Sequence, residues 1–61
     1  MTRAASYGDL DGTTAAVMAR TGKLRTASDD FVRRGNALTE SERGEYKDAW
    51  TKAFRSAGGA S

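Results

Sequence analysis

The chain has 61 residues and a formal net charge of +2, from ten basic and eight acidic side chains, and it contains no cysteine, histidine or proline. One domain at most fits this length, and the missing residue types exclude disulfides, the usual zinc sites and thiol or imidazole catalysis. So mild a basic balance permits nucleic-acid binding without demanding it, and no apolar run approaches the roughly 18 residues of a membrane span.

Strand material is nearly absent. Val17 and Val32 are the only valines, there is no isoleucine, and no stretch alternates apolar with polar residues. Helix is therefore the expected state, with glycines as punctuation. Residues 1–6 are expected to be a flexible N-terminus, 7–57 a single helical domain and 58–61 a flexible tail. The first helix is expected to start near Asp11 or Thr13, either of which can cap free N–H groups, and to stop at Gly22. Its apolar side is Val17, Met18, Thr21 and Leu24, with Leu10 extending the same face.

Ser28 is the expected cap of a short second helix, with Asp29 and Asp30 in the first turn, where the helix dipole favours negative charge. The spacing pairs Asp29 with Arg33 and Asp30 with Arg34. Gly35-Asn36 is the expected stop, and Phe31, Val32 and Leu38 the contribution to the core. The third helix has the clearest signals. Thr39 followed by Glu42 forms a capping box, and Gly58-Gly59 ends the helix. Between them Tyr46, Ala49, Trp50, Ala53, Phe54 and Ala57 recur at three- and four-residue steps as one apolar stripe. Gly44 alone weakens it. The fold class is all-α: a small three-helix bundle, or a helix-turn-helix plus a dominant C-terminal helix, with disordered ends.

"DLDGTT", Asp9 to Thr14, resembles the first motif of haloacid-dehalogenase-type phosphatases, Asp-x-Asp-Gly-Thr. The resemblance implies a nucleophilic Asp9, an acid/base Asp11 and a magnesium site. It covers five residues. The preceding "RAASYG" cannot form the buried strand that the motif follows in that family, and 47 residues after Thr14 leave no room for its other motifs. A turn and helix cap is the expected role. "RTGKLRT" lacks the glycine-rich loop and the Ser/Thr after lysine that a phosphate-binding loop needs. The serines have no histidine as base.

The excess charge sits in one place. Arg20, Lys23, Arg25, Arg33 and Arg34 outnumber Asp29 and Asp30, while the region up to Gly12 is net acidic and Thr39–Ala57 is balanced. "TAAVMARTGKLRTASDDFVRR" has a helix-turn-helix outline, although Lys23 and Ser28 occupy positions where that arrangement wants apolar residues. Arg43 and Lys47 flank one side of the third helix's stripe, Glu42 and Glu45 the other, as on a helix seated against another helix.

The sequence therefore points to a small, non-enzymatic, cytoplasmic binding module that docks on another protein or on itself. An accessory subunit or small regulator, encoded by a phage or mobile element, fits this description. Its candidate partner-binding residues are the aromatic anchors Tyr46, Trp50 and Phe54. The alternative is a small helix-turn-helix DNA-binding regulator using Arg20, Lys23, Arg25, Arg33 and Arg34. No cofactor, metal, catalytic residue, membrane partner or small-molecule substrate is expected.

Overall fold

The computed structural model describes residues 2–58. These form three helices and no strand: α1 over Arg3–Arg20, α2 over Leu24–Ala37 and α3 over Glu40–Ser56. Met1 and the expected tail beyond Gly58 lie outside the described residues.

The first helix starts far earlier than its sequence signals suggest. Thr2 is the cap, its side chain accepting from the Ala5 N–H at 3.2 Å. Residues 3–6, expected to be flexible, are its first turn. The "DLDGTT" segment is neither turn nor cap but the middle of α1. Thr13 and Thr14 donate their hydroxyls back to the carbonyls of Asp9 and Leu10, both at 2.9 Å, which leaves no side-chain hydroxyl for a competing turn. At 18 residues α1, not the 17-residue α3, is the longest element.

What makes Gly8 and Gly12 helical is the neighbour they face. A Cβ added at Gly8 would lie 2.8 Å from Ala49 Cβ and 2.9 Å from Trp50 N, and would collide with the Tyr46 carbonyl oxygen. One at Gly12 would collide with the Trp50 carbonyl oxygen and lie 3.0 Å from Ala53 Cβ. Ala4, Gly8, Gly12 and Ala16, spaced four apart, therefore form a smooth buried stripe on which the α3 backbone rests, with Ala15 beside it. Small residues at this spacing let two helix backbones approach closely.

This packing overturns much of the expected core. Leu10, Val17, Leu24 and Val32 are 61%, 51%, 48% and 57% exposed. Leu38 is buried as expected, and the other buried side chains are Ala4, Ala15, Ala16, Ala27, Tyr46 and Ala53. Leu10 and Val17 of α1 point outward because its inner face belongs to residues small enough for α3, while Tyr7 packs at the edge of the core.

α1 and α3 run parallel. Thr2 and Arg3 meet Glu45 and Glu42 at one end, and Arg20 reaches the Ala57 carbonyl at 2.9 Å at the other. α2 returns antiparallel beside them, packed mainly on α1. The α1–α2 corner ends as expected, with Gly22 at φ +78°. Lys23 N–H bonds the Met18 carbonyl at 2.7 Å and Gly22 N–H the Ala19 carbonyl at 3.4 Å, the six-to-one and five-to-two closure of a glycine-ended helix.

α2 follows at once from Lys23, without a side-chain cap. Ser28 is thus internal rather than capping, and Asp29 and Asp30 lie beyond the first turn. Nor do Gly35 and Asn36 stop the helix, which runs on to Ala37. Leu38, extended at ψ 158°, ends it and buries its side chain. Thr39 then starts α3 with the expected capping box, complete in both directions.

Candidate functional site

Three helices meet at one carboxylate. Asp11, from the middle of α1, accepts through a single oxygen from Arg34 Nε of α2 at 3.0 Å and from the Tyr46 hydroxyl of α3 at 2.9 Å. The Arg34 guanidinium also lies over the Tyr7 ring, 4.2 Å from its centroid, a cation–π contact. This clasp takes Arg34 away from the expected Asp30 pairing. Arg33 pairs with Asp30 instead, at 3.8 Å and three residues away rather than with Asp29.

The hydrogen bond that Arg34 donates to Asp11 raises the pKa of Arg34, which remains charged. Burial, followed by the bond to Asp11, pushes the Tyr46 hydroxyl well above the ordinary tyrosine range. At the other end of α3, the Thr39 backbone N–H, its hydroxyl and Arg3 hold Glu42 below the usual carboxylate range.

The partner Asp9 of the phosphatase-like motif is nowhere near this clasp. Residues two apart on a helix do not share a face. Asp9 instead lines a groove on the other flank of α1 and α3, with Ala5, Glu45, Asp48, Ala49 and Lys52. The two aspartates consequently have different neighbours and form no acid/base pair. Among the described residues no group of three potential ligands is placed to hold a metal ion.

The expected aromatic anchors have different fates. Tyr46 is only 1% exposed and belongs to the core with Ala4 and Leu38. Phe31 stacks on it with centroids 5.5 Å apart and meets Trp50 at 5.0 Å. Trp50 in turn stacks on Phe54 at 4.8 Å and 11°. Trp50 and Phe54 remain half-buried. The aromatic run is thus core at Tyr46 and partly open at Trp50 and Phe54.

Beside it lies a groove of about 270 Å³ between α2 and α3, lined by Phe31, Val32, Gly35, Asn36, Arg43, Tyr46 and Lys47. Arg43 Nε donates to the Gly35 carbonyl at 2.8 Å, which holds its guanidinium at the rim.

The five cations of the helix-turn-helix alternative are divided. Arg34 is in the clasp and Arg20 is bound to the end of α3. Lys23, Arg25 and Arg33 are at the surface.

The single-sequence signals missed Asp11 as the hub because an Asp-Gly pair looks like a turn. The four-residue spacing of Ala4, Gly8, Gly12 and Ala16 beside it was the available clue. The chain matches no protein-family model, no curated protein and no solved structure.

Proposed function

We propose that this chain is a non-enzymatic helical module that works by docking on another protein. The observation that supports the reading is the stacked Trp50–Phe54 pair, left half-buried on the longest unbroken aromatic run of the molecule. Aromatic anchors of this kind supply much of the energy at protein interfaces. Among the described residues no helix is long and apolar enough to cross a membrane, and a cytoplasmic location belongs to the same reading.

Affinity capture on the wild-type chain and on Phe54→Ala, followed by titration of the purified captured protein, tests the reading. Phe54→Ala is expected to weaken binding about tenfold or more. Equal affinity for wild type, Phe54→Ala and Trp50→Ala removes it.

The helix-turn-helix alternative has the three-residue Thr21–Lys23 connection in its favour. A DNA-binding chain retards nonspecific duplex at about 50 mM salt and releases it steeply as salt rises. No retardation there eliminates this alternative.

A further inference from the structure

We propose that the α2–α3 groove receives an acidic amphipathic helix from the partner, seated on Phe31 and Val32 between α2 and α3. The inference rests on the protein-docking reading and names the chemistry of the partner.

The walls define the occupant. The floor is apolar: the Phe31 ring, the exposed Val32 side chain and part of Tyr46, whose hydroxyl is turned away to Asp11. The rim holds two cations, Arg43 and Lys47, one helical turn apart, and no carboxylate lines it. Neither cation forms an ion pair among the described residues, whose salt bridges join Arg3 to Glu42, Arg33 to Asp30 and Arg34 to Asp11. The groove on the opposite flank of α3 has the reverse character, with Asp9, Glu45 and Asp48 against Lys52. Charge therefore sorts the two flanks, and the α2–α3 side selects a negative partner.

At about 270 Å³ the space is below the usual range for a small-molecule site, about 300–1,000 Å³. It suits one or two bulky side chains projecting from a peptide. Arg43, Lys47, Trp50 and Phe54 fall on one stripe of α3 at steps of four, three and four. The cationic rim thus continues along the helix into the half-buried aromatic pair. A helix laid along that stripe meets cations at one end and rings at the other, and adds a fourth helix to the bundle.

Fluorescence anisotropy with a synthetic helical peptide is the test. The probe carries leucines at i, i+3, i+4 and i+7 spacing and glutamates elsewhere; its control carries lysines in place of the glutamates. The acidic probe is expected to bind and the lysine control to bind at least about tenfold more weakly. Lys47→Glu and the double variant Arg43→Glu/Lys47→Glu are each expected to weaken the acidic probe, the double variant by about tenfold or more at low salt. Lys47 lies at an exposed position, so its variant retains the fold, checked by circular dichroism.

Equal binding of both probes, no binding of either, or unchanged affinity in the charge-reversed variants overturns the proposal. So does duplex DNA that binds through Arg43 and Lys47 while the acidic probe does not. If the captured partner is lost by Phe54→Ala but kept by the double charge reversal, docking stands and the acidic occupant falls. If neither variant affects capture, both fall.

Discussion

The α1–α3 seam and the seat of α2 hold the same molecule together by opposite means. Along the seam the side chains are nearly absent: Ala4, Gly8, Gly12 and Ala16 let one backbone rest on another, and polar contacts close both ends. α2 buries a single residue completely, Ala27, and is otherwise held by the Phe31 ring and by Arg34 reaching across to Asp11. Close-packed backbone tolerates almost no added volume. Ring stacking and a charged hydrogen bond leave room for side chains to shift. α2 is accordingly the element best able to adjust to a partner, and the proposed groove lies on its border with α3.

The largest test of this contrast is Gly12→Leu. Its side chain has to enter space occupied by the Trp50 carbonyl, so a loss of about 3 kcal/mol or more is expected. A chain of this length has about 3–9 kcal/mol of stability in all, so a third or more of it is lost, visible as a large drop in the thermal transition. A folded Gly12→Leu chain with near wild-type melting would mean that the seam is not close-packed.

Asp11→Ala comes next. It leaves Arg34 and the Tyr46 hydroxyl without their acceptor, at an expected cost of about 1–3 kcal/mol. Hydrogen exchange is expected to quicken mainly in α2, with the seam amides of α1 and α3 retaining more protection. Uniform loss of protection over all three helices would show that the clasp is part of one cooperative unit with the seam.

The next effect is stabilising. Gly44 is inside α3, and a Cβ there meets nothing within 4 Å. Gly44→Ala is expected to add about 0.5–1 kcal/mol, read as a higher denaturant midpoint at unchanged slope. Two interior helical glycines, Gly12 and Gly44, then respond with opposite sign.

The pH dependence gives the smallest and most specific signal. Tyr46 has a raised pKa in the fold, so its contribution is complete below the unfolded tyrosine value, about 10, and is lost as pH rises from there through the folded value. Tyr46→Phe should flatten this alkaline loss. Glu42 has a lowered pKa, so its contribution is complete above about 4.3 and is lost as pH falls through the folded value. Glu42→Gln should flatten that acid limb. A wild-type melting temperature unchanged across the alkaline range would refute the role given to Tyr46.

Local chemistry made the third helix legible. Thr39 and Glu42 are three residues apart and need no other part of the chain to form their box. Gly22 likewise serves α1 through carbonyls of α1 itself. The candidate site was less legible. Tyr46, Trp50 and Phe54 are correctly placed on one stripe, but their division into core and surface depends on Phe31 and Asp11, which arrive from other helices. Leu10 and Val17 looked like core because they are large. They are exposed because α3 takes the opposite face of α1.

That the chain is helical, where α3 begins, where α1 and α3 end, and that neither disulfides nor the usual zinc sites support it could all be read from the residues alone. Those properties arise from residue type and from interactions within a few residues. Which glycines punctuate and which pack depends on the packing of the helices. Gly12 and Gly22 are the same residue in similarly polar surroundings. Gly22 adopts a positive φ with nothing around it, whereas Gly12 remains helical because the backbone of α3 occupies the place of its side chain. That difference lies in the distance between two segments some forty residues apart in the chain, and the Asp-Gly and Thr-Gly pairs themselves do not encode it.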